Sequence, residues 1–186
     1  MRGLLTPLAR DCEVTMIPSG ERVTVPAGTE VRVLQTLGGN VTVQGDYGQL
    51  MRIDEKDAEV LGADYLAQNP KSAEPQSPAA EGTFDEEQVW EQLRTVYDPE
   101  IPVNIVELGL VYACKATPLP EGGHRVEIQM TVTAPGCGMG PVLVDDVRQK
   151  VTGLPGVKEA DVQLVWDPPW DQSRMSDVAR LQLGWM

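Results

Sequence analysis

The sequence is poor in the residues that usually build metal and redox sites. Its 186 residues include three cysteines and a single histidine, His124. It contains no Cys-x-x-Cys pair, so a self-contained zinc site with the usual ligand spacing is not expected. Three cysteines do not form a disulfide framework, and we expect them to be free thiols in a reducing compartment.

Basic residues are also scarce. The chain has 15 Lys and Arg against 28 Asp and Glu, a net charge of -13, which argues against a nucleic-acid or anionic-membrane surface. It has no apolar run long enough to span a bilayer, no secretory signal and no Gly-x-x-x-x-Gly-Lys phosphate loop. These absences predict a cytoplasmic protein whose partners are other proteins or metal ions.

The hydrophobic fraction of 41% is sufficient for a packed core. Residues 1–67 alternate short apolar and polar runs with turns such as Pro18-Ser19-Gly20, which predicts a small all-β, barrel-like domain. Residues 68–82 are rich in Pro, Ser, Ala and Glu, the composition of a flexible linker. Residues 83–186 form the predicted second domain.

The second domain shows an α-β-β-α-β-α pattern. The patterns predict a helix ended by Asp98-Pro99, strands at Leu110–Ala116, Arg125–Thr133 and Asp161–Trp166, and helices at Pro141–Thr152 and Ser176–Leu183. We therefore predict an α+β chain, with a small α/β second domain built on a mixed three-stranded sheet.

The most informative stretch is Thr131 to Gly140, TVTAPGCGMG. A strand pattern runs into a glycine loop that carries Cys137, and Pro141 behind it suits the first position of a helix. A helix N-terminus favours the thiolate, the form of cysteine that binds soft metals. Gly136 and Gly138 leave space for a partner or cluster beside the sulfur. The alternative is that Cys137 is a small apolar residue in a turn.

Other polar and aromatic residues are candidates for the same site. They are Asp98 and Glu100 of the DPE segment, Glu107, Thr133, and the WDPPW residues Trp166, Asp167 and Trp170. Each has a structural alternative. A carboxylate before proline commonly caps a turn, Glu100 and Glu107 suit a solvated face, and the tryptophans suit packing or partner contact.

His124 and the other cysteines are weaker candidates. His124 is expected at the end of its strand farthest from Cys137, which disfavours a Cys–His nucleophilic pair. Cys114 lies in a predicted strand and is expected to pack in the core, and Cys12 is open to either interpretation.

Three ordered motifs carry a family resemblance: EEQVWEQLRTVYDPEIPVNIVELGLVY, TVTAPGCGMGPVL and VWDPPWDQSRMSDVAR. Together they resemble the iron–sulfur assembly domain shared by SufT proteins, PaaD-type proteins and the cytosolic iron–sulfur targeting factors. The first domain, with IPSGERVTVPAGTEV, is similar to the extension of the SufT branch. Where many relatives have proline after the cysteine, this chain has Gly138.

The resemblance implies an accessory role in iron–sulfur protein maturation, with the assembly machinery and recipient apoproteins as partners. It implies that Cys137 is the family's cysteine, and that a transient iron–sulfur cluster is the cofactor. Because clusters are usually held by four thiolates, a cluster would be shared with a recipient or across a homodimer. The alternatives are a metal-free adaptor of the same pathway and, less favoured, a thiol-dependent enzyme.

Overall fold

The computed structural model of this protein describes residues 5–68 and 84–185. The chain divides into two compact units, Met1–Pro75 and Gln76–Met186, each with its own hydrophobic core. Apart from Gln68, the predicted linker 68–82 lies outside the described residues, and the predicted domain boundaries stay a prediction. Within the described ranges, every helix is too short or too polar to cross a membrane.

The first unit is a six-stranded antiparallel sheet, and alternation along its strands turns one set of apolar residues towards the core. Val41 and Val43, for example, are fully buried on one strand, while their neighbours are only partly covered. The strands are β1 (Leu5–Pro7), β2 (Cys12–Ile17), β3 (Arg22–Val25), β4 (Glu30–Leu37), β5 (Asn40–Gln44) and β6 (Leu50–Ile53), in the spatial order β1-β4-β5-β6-β2-β3. The predicted barrel-like shape stays a prediction.

A helical segment follows this sheet. Asp54-Glu55-Lys56-Asp57 predicted its first turn, ending near Gly62, but the helix beyond that point was not expected in an all-β unit. A 3-10 helix covers Glu55–Leu61, and helix α1 covers Gly62–Gln68. Tyr65 of α1 is 1% exposed, and its hydroxyl lies 2.8 Å from the hydroxyl of Thr36 on β4. The helical segment is stabilised because Leu61 of the 3-10 helix and Tyr65 of α1 bury apolar surface in the core of this unit.

The second unit contains a mixed three-stranded sheet with helices. Its elements are α2 (Glu86–Leu93), β7 (Val111–Pro118), β8 (His124–Met130), α3 (Gly140–Thr152), β9 (Val157–Leu164) and α4 (Asp177–Leu183). The sheet order is β7-β8-β9, with β7 antiparallel and β9 parallel to β8. The prediction of an α+β chain with a mixed three-stranded sheet is confirmed.

Several predicted boundaries were wrong. Helix α2 begins where Asp85 accepts a hydrogen bond from the Glu87 amide at 2.9 Å, but it ends at Leu93 and not at the DPE segment. Thr95 donates its hydroxyl to the Gln92 carbonyl, which competes with helix continuation. Strand β8 ends at Met130, three residues early, and β9 begins at Val157 because pairing with β8 extends that far.

The direction of the strands decides where the loops meet. Because β8 and β9 are parallel, both end at the same edge of the sheet, and antiparallel β7 begins there. Val111, Met130 and Leu164 mark this edge, which we call the cysteine edge. The loop before β7, the loop between β8 and α3, and the segment after β9 all lie at it.

Candidate functional site

The loop that carries Cys137 connects β8 to α3 at the cysteine edge. The Cys137 amide donates to the Ala134 carbonyl at 3.2 Å, and the Gly140 amide donates to the Cys137 carbonyl at 3.2 Å, so two tight turns follow one another. Gly136 has a φ of +80°, which favours glycine. Cys137 is partly exposed, whereas Met139 after it is buried and fixes the loop to the body of the unit.

Helix α3 begins at Gly140, three residues after Cys137, so Pro141 is its second residue and not its first. Gly140 allows a close approach, since a Cβ there would lie 3.2 Å from a methyl carbon of Leu164 at the end of β9. The structure thus places Cys137 between the end of a strand and the beginning of a helix, as the glycine pattern predicts.

Asp98 of the DPE segment is buried, with 5% of its surface exposed. Its Oδ1 accepts hydrogen bonds from the amides of Glu100 at 2.8 Å and Ile101 at 3.0 Å. Burial raises the pKa of this carboxyl, against the opposing effect of the two amide donors. The side chain therefore caps a turn, which is the structural alternative considered for it, while Glu100 points to solvent.

A second turn of the same kind was missed from the sequence. Asn104 Oδ1 accepts from the amides of Val106 at 3.1 Å and Glu107 at 2.9 Å. Asparagine often makes such turns with the residues that follow it, so NIVEL carried a usable signal. Together with the Asp98 turn, it shapes the loop that leads into β7.

Glu107 connects this loop to the C-terminal part of the unit. Its carboxylate Oε2 accepts a hydrogen bond from the Ser176 hydroxyl, and its carbonyl accepts from the Ser176 amide at 2.9 Å. Ser176 Oγ also caps helix α4 by accepting from the Ala179 amide. Glu107 is therefore a partly buried contact residue, and the solvated face considered for it is wrong. Thr133 lies, partly exposed, at the start of the cysteine loop.

The two tryptophans of WDPPW have different surroundings. Trp170 packs against the core and donates its indole N–H to the Leu108 carbonyl at 2.8 Å. Trp166 is 49% exposed and is followed by exposed Asp167. Trp170 thus anchors the segment after β9, while Trp166 presents an aromatic ring to solvent at the cysteine edge.

The remaining cysteines and the histidine lie in different settings. Burial raises the pKa of Cys114 to about 11, with a smaller contribution from the Glu86 charge, and burial also raises the pKa of Cys12. His124 begins β8 and stacks on Phe84 with ring centroids 4.1 Å apart. It lies at the opposite end of the strand from the Cys137 loop, so the topology does not provide a Cys–His pair.

The site residues predicted from the sequence therefore come from three segments that meet at one edge of the sheet. Metal ligands do not cluster there within one chain: in residues 5–68 and 84–185, no three His, Cys, Asp or Glu side chains are grouped to hold a metal ion. One chain offers Cys137 as a single thiol on a loop.

Comparison with known proteins identifies the family. Residues 86–163 match the family described as iron–sulfur cluster assembly protein. A Porphyromonas gingivalis protein named Fe-S protein maturation auxiliary factor is 43% identical over 101 residues, covering 54% of this chain and 92% of the relative. The chain therefore belongs to the iron–sulfur cluster assembly protein family.

Two further relatives are similar to this chain. The Staphylococcus aureus protein named Fe-S protein maturation auxiliary factor SufT is 42% identical over 89 residues, covering 48% of this chain and 97% of the relative. The crystal structure of domain of unknown function DUF59 from Bacillus anthracis is 40% identical, with a TM-score of 0.47, and covers 53% of this chain and 91% of that chain. The resemblance to SufT proteins is confirmed, and the assignment of residues 1–67 as a SufT-type extension stays a prediction.

Proposed function

We propose that this protein is an auxiliary factor in the maturation of iron–sulfur proteins, with an accessory rather than a catalytic role. The observation that carries this proposal is the 42–43% identity to proteins named Fe-S protein maturation auxiliary factor, of which this chain covers 92–97%. The cargo is an iron–sulfur cluster, and the recipients are apoproteins that need one.

Cys137 is the proposed ligand for that cargo. It is partly exposed on a glycine loop outside the strands, whereas Cys12 is buried in β2 and Cys114 lies in β7, where burial raises its pKa to about 11. Clusters are usually held by four thiolates, and this loop supplies one. The cluster is therefore shared with a recipient or with a second copy of this chain, and so few ligands from one chain make the binding weak enough for transfer.

The surroundings of Cys137 support this role in the proposal. Gly136 has open space where a side chain would stand, which lets a partner approach the loop. The Asp98 turn supports the loop before β7, and Glu107 holds the segment that follows β9 against it. Trp166 offers partners an exposed aromatic surface at the same edge, and the net charge of -13 favours partners with basic surfaces.

A maturation assay in cells tests this function. Cells that lack the protein are complemented with the wild-type chain, Cys137→Ser or Cys12→Ser, and the activity of a [4Fe–4S] enzyme is measured together with its iron content. Wild type and Cys12→Ser are expected to restore both, and Cys137→Ser to fail. Full activity of the enzyme without this protein would contradict the proposed function.

A metal-free adaptor is the second candidate, and the exposed Trp166 favours it. In that case Cys137 would only shape the loop, and affinity would come from aromatic anchors. Capture of recipient apoproteins by Cys137→Ala at wild-type strength, with normal maturation in cells, would support the adaptor. Loss of capture by Trp166→Ala is expected in both cases and identifies the contact surface.

A thiol-dependent enzyme is the least supported candidate, because His124 lies at the other end of β8 from the Cys137 loop. The cytoplasmic location and the homodimer stay predictions. Sedimentation of the apoprotein and of the cluster-loaded protein would decide whether two copies share a cluster.

A further inference from the structure

The segment that follows β9, residues 165–176, crosses the cysteine edge from one side of the sheet to the other. It leaves the outer strand β9, and the Val165 amide donates to the carbonyl of Met130, the last residue of β8, at 2.8 Å. Further on, the Pro168 carbonyl accepts from the Tyr112 hydroxyl of β7 at 2.8 Å. We call residues 165–176 the crossing segment, because they pass the end of β8, where the cysteine loop begins.

The far end of the crossing segment is fastened to the loop before β7. The Trp170 indole donates to the Leu108 carbonyl, and the Ser176 amide donates to the Glu107 carbonyl. The Arg174 guanidinium carbon lies 4.5 Å from the centre of the Tyr112 ring, close enough for a cation–π contact. Met175 is buried in the core beside these contacts.

Gly109 is the point at which the loop and the crossing segment come closest. A Cβ on Gly109 would lie 2.2 Å from the Arg174 carbonyl oxygen and 2.8 Å from its carbonyl carbon, distances that no side chain can take. The φ of Gly109 is +70°, which also favours glycine. Only glycine therefore allows the backbone of Arg174 to pack against this loop.

We propose that Gly109 is a positioning residue for Cys137: it lets the crossing segment close over the end of β8 and so form one wall beside the Cys137 loop. The crossing segment limits access to the thiol and sets the direction from which a recipient approaches. This inference deepens the proposed function and relies on it for the importance of Cys137. The chemical access that it describes does not require a cluster.

The test compares Gly109→Ala with Gly122→Ala in the full-length apoprotein. Gly122 also has a positive φ, +88°, but nothing lies within 4 Å of the position of its Cβ. The two variants therefore share the backbone cost, and only Gly109→Ala displaces Arg174. Amide exchange of residues 165–176 and the iodoacetamide rate of each cysteine are followed by peptide-resolved mass spectrometry.

In Gly109→Ala, exchange in the crossing segment is expected to rise about tenfold or more. The Cys137 alkylation rate is expected to rise at least about threefold, while the Cys114 rate stays within about 1.5-fold of wild type. Gly122→Ala should match wild type in every measurement. The Cys114 rate is the internal reference, because general loosening of the unit would accelerate both thiols.

The proposal is overturned if the crossing segment exchanges faster while the Cys137 rate is unchanged, or if Cys137 and Cys114 accelerate equally. If Gly109→Ala does not fold, Trp170→Phe decides with the same measurements, because phenylalanine keeps an aromatic ring but cannot donate to Leu108. The exchange and alkylation measurements do not involve iron. A failed maturation assay would therefore not change their result, and a negative result in these measurements would not contradict the proposed maturation function.

Discussion

Both compact units of this chain contain a sheet and at least one free cysteine. The exposure of the cysteine side chain differs between the two units. Cys12 of the first unit lies in a strand and is 1% exposed. Cys137 of the second unit lies on a glycine loop and is partly exposed. The same side chain is thus a core residue in one unit and a candidate ligand in the other, and the backbone that carries it makes the difference.

The same contrast occurs within the second unit. Cys114 and Trp170 are partly buried and pack against the core, whereas Trp166 is 49% exposed and Cys137 lies, partly exposed, on the loop between β8 and α3. Two residues of the same type can therefore have different roles, and the role proposed for each depends on where the fold places it and how far it is buried. Thiol alkylation rates and free energies of unfolding test whether residues of one type differ as strongly as their surroundings in the structure indicate.

The largest expected difference is in thiol reactivity. Burial raises the pKa of Cys114 to about 11, so at pH 8 only about one Cys114 thiol in a thousand is ionised. Cys137 is expected to react with iodoacetamide about a hundredfold faster than Cys114 or Cys12, measured by mass spectrometry of each cysteine peptide. Comparable alkylation rates at all three cysteines would contradict the contrast between Cys137 on its loop and the two cysteines in strands.

The second difference concerns the tryptophans. Trp170→Ala removes core packing and the hydrogen bond to Leu108, and we expect it to lower the free energy of unfolding by about 3 kcal/mol. Trp166→Ala should change it by less than about 0.5 kcal/mol, since that ring is half exposed. Urea unfolding of both variants measures this. Equal losses would show that Trp166 is a structural residue.

The smallest difference is expected at Asp98. Burial raises the pKa of its carboxyl in the folded state, so the folded protein binds the proton more tightly and unfolding releases it. The contribution of this group to stability is therefore greatest at low pH. It is lost as pH rises from the unfolded value of about 3.9 through the raised folded value.

Asp98→Asn keeps an oxygen for the Glu100 and Ile101 amides but carries no charge, so the variant should lose this pH dependence. At pH 7 it should be as stable as wild type or more stable, by less than about 1 kcal/mol. Urea unfolding between pH 4 and pH 7 measures both. A clear loss of stability at pH 7 would mean that the carboxylate makes a favourable contact beyond these two amides.

Local patterns predicted much of this architecture. The alternating apolar and polar runs of residues 1–67 predicted strands, of which Arg22–Val25 and Glu30–Leu37 are two, and the glycine loop before Pro141 predicted the position of Cys137. These features depend on neighbours in the sequence, whose spacing matches the period of the local structure. Asp98 before proline likewise carried a turn signal that the structure bears out.

The crossing segment could not be predicted in the same way. Its contacts join residues far apart in the chain: Trp170 and Leu108 are separated by 62 residues, and Ser176 and Glu107 by 69. Composition does not distinguish a tryptophan that packs against the core from an exposed one. No sequence pattern near Gly109 predicts its contact with the Arg174 backbone. Helix α2 also ended early, because contacts of residues 96–104 with each other replaced a helical turn.

Anaerobic reconstitution tests the central proposal, that Cys137 on its loop is the cluster ligand while Cys12 and Cys114, which lie in strands, are not. Iron and sulfide content and Mössbauer spectra are compared for wild type, Cys137→Ser and the matched control Cys114→Ser. Loss of a residue that only supports a metal ligand already lowers metal affinity about 10–100-fold. Cys137→Ser, which removes the ligand itself, should therefore bind at least about tenfold less cluster than wild type. Cys114→Ser should bind as much cluster as wild type. Equal cluster content in Cys137→Ser and wild type would contradict the claim.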